Sequence, residues 1–159
     1  MSNRMPTEVI IEQMTPADLR LIKPLLTDLM DAMTDTEGFD VETSIENCRI
    51  LIADPAQYML VARKGESILG FVNFSIRKTI MHPGPSGLID ELVVSKNSQA
   101  VGIGKQLIQA VINKCRELGC CEVEVSTEKT NMRARRFYKT CGFEEDAVLM
   151  ELDLVNPQG

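Results

Sequence analysis

The chain has 159 residues, with 17 basic and 23 acidic side chains and a net charge of −6. This length suits one domain spanning 1–159, whose core needs neither disulfide nor structural metal. The acidic balance disfavours nucleic acid and anionic membranes as partners, and no apolar run approaches the ~20 residues of a membrane span. Five cysteines without C-x-x-C spacing and a single histidine predict free thiols, no metal and a cytoplasmic location.

The first quarter of the chain predicts a strand and two helices. Thr7 to Glu12 alternates and is rich in Val and Ile, as strands are. Thr15 is a good N-cap for the helix that follows, in which Pro24 is expected to introduce a kink or a division. Val41 to Ala53 predicts a second helix, which ends before Asp54-Pro55.

The middle of the chain predicts a hairpin, a strand, a long helix and another strand. Tyr58–Ala62 and Ser67–Ile76 flank a polar turn, and Leu88–Val94 is the next strand. Gly102–Leu118 carries one apolar stripe at helical spacing, and Cys121–Ser126 alternates as a strand does.

The end of the chain predicts a short basic helix, Asn131 to Thr140, and a last strand, Phe143 to Leu154. The predicted order is therefore β-α-α-β-β-β-α-β-α-β. We expect a mixed α/β sheet that the helices cover.

The most informative segment is the turn before the long helix, Gln99-Ala100-Val101-Gly102-Ile103-Gly104. Its two glycines permit a tight turn, and the helix that follows directs unpaired N–H groups and a positive dipole end towards it. The spacing fails both the P-loop and the dinucleotide fingerprint. We expect an anion site, most plausibly for a pyrophosphate.

Two separate motifs resemble those of one enzyme superfamily. Gln-x-x-Gly-x-Gly after the strand Ile89 to Val94 resembles the coenzyme A segment of the GNAT superfamily of acetyl-CoA-dependent N-acetyltransferases. Asn131-x-x-Ala-x-x-Phe-Tyr138-x-x-x-Gly142-Phe143 resembles that superfamily's later motif. The order of elements agrees as well, so the resemblance covers nearly the whole chain.

The resemblance implies an α/β (α+β) fold: a mixed, mostly antiparallel central sheet of six to seven strands, splayed at the cofactor site and flanked by about four helices. It implies acetyl-CoA as cosubstrate. The implied cofactor-binding residues are backbone groups of the central strand, the pyrophosphate turn with its first helical residues, and one asparagine: Leu92, Val93, Val94, Gln99, Ala100, Val101, Gly102, Ile103, Gly104, Lys105 and Asn131.

The chemistry of acetyl transfer suggests roles for three side chains. Tyr138 stands at the superfamily's usual general-acid position, where a phenol protonates the thiolate of coenzyme A. A primary amine must lose a proton before it attacks, and a carboxylate is a suitable acceptor. Because neighbouring strand residues face opposite sides, only one of Asp90 and Glu91 is expected to face the substrate; Glu91 is the first choice and Asp90 the second.

We therefore predict an N-acetyltransferase that moves an acetyl group to a primary amine by direct attack in a ternary complex. Net charge and the acidic, Met-rich early helices (Met30, Asp31, Met33, Asp35, Glu37) suggest a small cationic acceptor. A protein N-terminus or lysine is the alternative acceptor, and a non-catalytic acyl-CoA-binding domain is the alternative function. Superfamily members often dimerise, so the resemblance also admits a homodimer.

Overall fold

The central sheet has five strands in the order β1-β2-β3-β4-β5 in the part of the chain that the computed structural model describes, residues 8–32 and 38–155. The side chains of Ala32, Gln99 and Ala100 are outside that part. The strands are β1 (Ile10–Gln13), β2 (Gln57–Lys64), β3 (Ser67–Arg77), β4 (Ser86–Val94) and β5 (Glu122–Val125). The first four pair antiparallel, and β5 pairs parallel with β4.

The helices of the described residues are α1 (Leu19–Ala32), α2 (Val41–Ala53), α3 (Ile103–Glu117) and α4 (Met132–Thr140). The predicted order is thus observed as far as α4. The chain forms two compact units, Met1–Val125 and Ser126–Gly159. The first contains the sheet with α1 to α3, and the second contains α4. A single domain over 1–159 stays a prediction.

The two faces of the sheet bury different sets of side chains. Met59, Val61, Phe71 and Val93 form one core with the apolar residues of α1 and α2. On the other face Gly70 approaches Leu107 of α3, and Val72 and Phe74, which alternate with Phe71, are fully buried. Each fully buried apolar side chain contributes about 1.5–3 kcal/mol, so the sheet is held by packing on both faces.

The start of α1 is attached to β2 through a buried carboxylate. Asp18 is 4% exposed; its carboxylate accepts a hydrogen bond from the Thr15 N–H (2.9 Å) and pairs with Nη2 of Arg63 (2.6 Å). Burial by itself would raise the pKa of Asp18, but the Thr15 N–H and Arg63 outweigh it and hold the pKa below its usual range. Thr15 thus begins the helical segment as predicted, with Asp18 completing the cap.

Pro24 does not divide α1, which continues from Leu19 to Ala32. A proline removes one N–H from the helical ladder, but Ile22, Leu25 and Leu26 on either side of it are buried. Packing of that apolar face keeps the helix in one piece.

The predicted last strand, Phe143 to Leu154, is wrong for the described residues, and the sheet has five strands there instead of six or seven. The segment alternates as a strand does, but a strand also needs a hydrogen-bonding neighbour, and none pairs with it in residues 8–32 and 38–155. Val148, Met150 and Leu152 are more than four-fifths exposed. A homodimer stays a prediction.

Across residues 8–32 and 38–155, no helix is both long and apolar enough to cross a membrane.

We expect Asp18→Asn to lower the free energy of unfolding by about 2 kcal/mol, because a charged hydrogen bond of a buried group is lost. The matched control is Glu12→Gln, which removes the exposed partner of the same Arg63 (2.5 Å) and should cost under about 1 kcal/mol. Urea unfolding at neutral pH measures both. Equal losses would show that burial of Asp18 does not set the strength of this attachment.

Candidate active site

A bulge in β4 places the predicted carboxylates. Phe74 of β3 pairs with Ile89, but its neighbour Asn73 pairs with Glu91, so Asp90 is an extra residue on β4. Residues that pair across strands share a face of the sheet. Glu91 therefore lies on the face of Asn73; without the extra residue, Asp90 would stand opposite Asn73 instead.

Asn73 holds this bulge in place. Its side chain is 3% exposed, and its Oδ1 accepts a hydrogen bond from the backbone N–H of Glu91 (2.9 Å). A buried amide stabilises a structure only when its polar atoms are bonded. This hydrogen bond satisfies both the buried side-chain oxygen of Asn73 and a backbone N–H of the bulged strand. The sequence analysis missed Asn73; the available signal was one polar residue within the apolar run of β3.

A cavity of about 140 Å³ opens where α1, α2 and the sheet meet. The sheet contributes Met59, Phe71, Asn73 and Glu91. The helices contribute Leu26, Leu29, Cys48 and Leu51, with Ser44 and Asn47 as polar members, and Phe39 lies two residues before α2. The predicted carboxylate of Glu91 therefore lies beside an apolar wall.

The electrostatics of the cavity favour a protonatable Glu91. Glu91 is exposed overall, but desolvation of its carboxyl raises the pKa, the charge of Asp90 raises it further, and the Asn73 side chain opposes the rise. Burial also raises the pKa of Asp90. A carboxylate whose pKa is raised towards neutral pH is a better general base than an ordinary one.

Cys48 lies on the cavity wall as a neutral thiol. Burial raises its pKa, and the charge of Glu91 adds to the effect. Because the thiolate is the nucleophilic form, this environment does not activate Cys48. The free cysteines agree with the prediction from spacing: Cys48, Cys115, Cys120, Cys121 and Cys141 are unbridged.

The ladder between β4 and β5 is shorter than β4 itself. It joins Ser86–Ile89 to Glu122–Val125 and ends at the bulge. The Ser95 N–H donates to Leu69 O of the β3 side (2.8 Å), so by strand alternation the Val94 N–H points to the opposite side. The side chain of Val93 belongs to the core.

The predicted pyrophosphate turn contains a short 3₁₀ segment and a left-handed glycine. Residues Lys96–Val101 form a 3₁₀ turn that contains Gln99 and Ala100, and Gly102 follows with φ of 77°. The first α-helical hydrogen bond of α3 runs from Gln106 N to Gly102 O (3.1 Å). The N–H groups of Ile103, Gly104 and Lys105 thus precede the helical ladder and are directed out of the helix end, as an anion site requires. Lys105 is exposed.

The second unit contains the predicted Asn131 and Tyr138. Oδ1 of Asn131 accepts from the Ala134 N–H (3.1 Å), so Asn131 is the N-cap of α4. The Tyr138 ring meets Phe137 and Phe143 edge to face, with ring centroids 5.2 and 5.7 Å apart. Burial raises the pKa of Tyr138, with a smaller contribution from Cys141, so the phenol stays protonated.

His82 and the described members of the acidic, Met-rich group do not belong to the described cavity lining. His82 pairs through Nε2 with Glu122 (3.0 Å) at the opposite end of β4. Among the acidic, Met-rich residues, Met30 and Asp31 are absent from the described cavity lining, while Met33, Asp35 and Glu37 lie outside the described residues.

No group of three His, Cys, Asp or Glu side chains suited to a metal ion occurs within residues 8–32 and 38–155.

Comparison with known proteins identifies the class to which this fold and site belong. The sequence profile described as the Acetyltransferase (GNAT) family matches residues 22–143. Since this is most of the chain, the chain belongs to that family and is an acetyl-CoA-dependent N-acetyltransferase.

Individual relatives are distant but extend over most of both chains. The chain is 27% identical over 140 residues to aminoglycoside N(6')-acetyltransferase type 1 of Stenotrophomonas maltophilia, covering 85% of this chain and 86% of that one. It is 29% identical over 126 residues to aminoalkylphosphonate N-acetyltransferase of Salmonella typhimurium, covering 79% and 75%.

The fold is also that of solved structures. The aminoglycoside N-acetyltransferase AAC(6')-Iy in complex with CoA superposes with a TM-score of 0.79 at 21% identity, covering 97% of this chain and 99% of that one. At this identity the likeness shows the fold alone.

We expect Asp90→Asn to lower the pKa of Glu91, because it removes a like charge that disfavours the ionised form. Titration of the Glu91 side-chain carboxyl carbon by NMR measures the change. Glu117→Gln, an exposed substitution at the end of α3, is the control and should leave the titration as it was. A rise or no change in the Glu91 pKa would contradict this interaction.

Proposed function

We propose that the cavity binds a primary amine and that Glu91 removes its proton before the amine attacks the thioester of acetyl-CoA. The observation that carries this proposal is the β4 bulge, which turns Glu91 into the cavity beside Asn73. An amine with an ordinary pKa of about 10 is protonated in neutral water and cannot attack. A carboxylate with a raised pKa accepts that proton directly or through one water.

The edge of β4 beyond the bulge is our proposed binding place for the pantetheine arm. The ladder to β5 ends at Ile89, and backbone groups of Leu92, Val93 and Val94 follow it. An extended arm hydrogen-bonds such an edge as an added strand does. We propose the Val94 N–H, which points away from β3, as the donor to the thioester oxygen, where negative charge develops during attack.

The turn before α3 is our proposed pyrophosphate site. The open N–H groups at the helix end and the left-handed Gly102 favour a bound anion. Val101, Ile103, Gly104 and Lys105 contribute through the same backbone. Gln99 and Ala100 are proposed as further pyrophosphate-binding residues because they belong to the Gln-x-x-Gly-x-Gly motif. Asn131 is proposed to bind the pantetheine amides because it begins the later motif.

Tyr138 is the proposed general acid, because it belongs to the later motif and because its phenol is protonated. The departing thiolate of coenzyme A needs a proton, and a phenol that burial keeps protonated supplies one. The ammonium loses one proton to Glu91, which passes it to solvent, and the neutral nitrogen then forms the C–N bond as the C–S bond breaks. The second proton that nitrogen loses on forming the amide replaces the proton that Tyr138 gives to sulfur.

Glu91→Gln tests the base through amine-dependent release of the coenzyme A thiol from acetyl-CoA. In the unaltered protein kcat/KM should rise with pH through the Glu91 pKa, because only the ionised carboxylate accepts a proton. The variant should lose that rise and about a hundredfold or more of kcat/KM.

Asp90→Asn is the matched control for Glu91→Gln. It should keep the rise and move it to lower pH, since it lowers the Glu91 pKa. Loss of the rise in Asp90→Asn alone would instead assign the base to Asp90. Release of thiol that never depends on an amine would contradict the proposed function itself.

Tyr138→Phe should lower kcat about a hundredfold and leave the affinity for coenzyme A nearly unchanged, because it removes only the phenolic proton. The chain's other tyrosine offers the control: Tyr58 stacks on Phe74 with centroids 5.2 Å apart, and Tyr58→Phe should keep kcat. Steady-state kinetics and calorimetry with coenzyme A measure the two quantities. An unchanged kcat in Tyr138→Phe would remove it from this role.

A further inference from the structure

We infer that the acceptor is a primary amine that carries one ammonium group and one compact apolar group, about the size of a phenyl ring or a four- to six-carbon branched chain. This inference rests on the proposed function, because it assigns the amine to the cavity beside Glu91. It narrows the expected cationic acceptor to one with a single charge.

The composition of the wall gives the first argument. Opposite the sheet, Leu26, Leu29 and Leu51 belong to the helices, and Met59 and Phe71 form the apolar part of the sheet side. An apolar wall gains free energy from an apolar ligand group and offers nothing to a hydroxyl or a second ammonium. A ligand rich in polar groups would lose its hydrogen bonds to water there and gain none from the apolar wall.

The charge of the described lining gives the second argument. Glu91 is its one ionisable carboxylate, and no lysine or arginine belongs to that lining. Of the polar members, Ser44 already donates to Asp40 O (2.9 Å), Asn73 Oδ1 accepts from the Glu91 N–H, and Asn47 is a neutral amide. One carboxylate neutralises one ammonium, so a second ammonium of a polyamine or an aminoglycoside would find no carboxylate among the described lining residues.

The size of the cavity gives the third argument. Its volume of about 140 Å³ is close to the ~150 Å³ of an engineered apolar cavity that binds benzene. The carboxylate of Glu91 lies at the bulge, and the apolar side chains of Leu26, Leu29 and Leu51 lie on the helices. An amine with its nitrogen at Glu91 therefore directs its carbon group towards α1 and α2.

A series of amines tests this inference with acetyl-CoA as the donor. We expect kcat/KM to rise about fourfold per added methylene from ethylamine to pentylamine, from the burial of each CH₂, and to be high for benzylamine. Spermidine and kanamycin represent the polycationic classes and should be much poorer acceptors. A flat or falling series, or faster turnover of spermidine or kanamycin, would overturn the inference while leaving the proposed function in place.

Binding separates this inference from the proposed function. Calorimetry with coenzyme A present should show benzylamine binding more tightly than ethylamine. If apolar amines bind in this order but none releases thiol, the proposed function fails and the character of the cavity stands. If no amine of any class shows the order in binding or in turnover, the inference is overturned.

Two substitutions of opposite effect test whether this cavity sets the preference. Cys48→Leu reduces the space beside Glu91 and should move the preferred amine to a shorter chain; Leu51→Ala enlarges it and should move the preference to a longer one. Cys120→Leu, a half-buried cysteine outside the cavity lining, is the control and should leave the preference alone. Circular dichroism confirms that each variant is folded. A preference that moves in neither cavity variant would overturn the inference.

Discussion

The single extra residue in β4 is the constraint on which the rest of the site depends. Antiparallel pairing leaves little choice about which face a side chain occupies, because the side-chain period is two residues. Asp90 shifts that period by one, and Glu91 rather than Asp90 comes to face α1 and α2. The buried amide of Asn73 fixes the shift by bonding the Glu91 N–H. The place of Glu91 at the cavity and the bonded amide of Asn73 both follow from one irregularity.

The bulge also divides β4 into two parts with different neighbours. Before it, the strand pairs with β5 and its side chains complete the packing against α3. At Gly87 the packing is so close that a Cβ would lie 2.5 Å from Cys115 Sγ. After the bulge the ladder to β5 ends, and backbone groups point to a side that the strand pairing does not cover. The first part of β4 is thus closely packed, and the part after the bulge lies outside the ladder to β5.

Most of the fold was predictable from local patterns, whereas the details of the site were not. The bounds of α2 agree with the prediction because Asp40 caps one end (Thr43 N–H to Oδ2, 3.0 Å) and Asp54-Pro55 ends the other, both local signals. A bulge has no such signal, since it is a property of the pairing between two strands. The alternation rule therefore placed Asp90 and Glu91 on opposite faces of the strand, but it did not reveal which of them faces α1 and α2. The error at Phe143 to Leu154 has a similar origin, because alternation predicts a strand but says nothing about its neighbour.

Pro24 has a consequence for the cavity that its sequence position alone does not reveal. It lies two residues before Leu26 and five before Leu29, which line the cavity, and its ring nitrogen donates no hydrogen bond to the carbonyl of Arg20. The helix wall is therefore held there by side-chain packing more than by its backbone ladder. The two walls of the cavity are thus held by different interactions, with side-chain packing dominant on the helix side and the backbone ladder of β3 and β4 dominant on the side of Glu91.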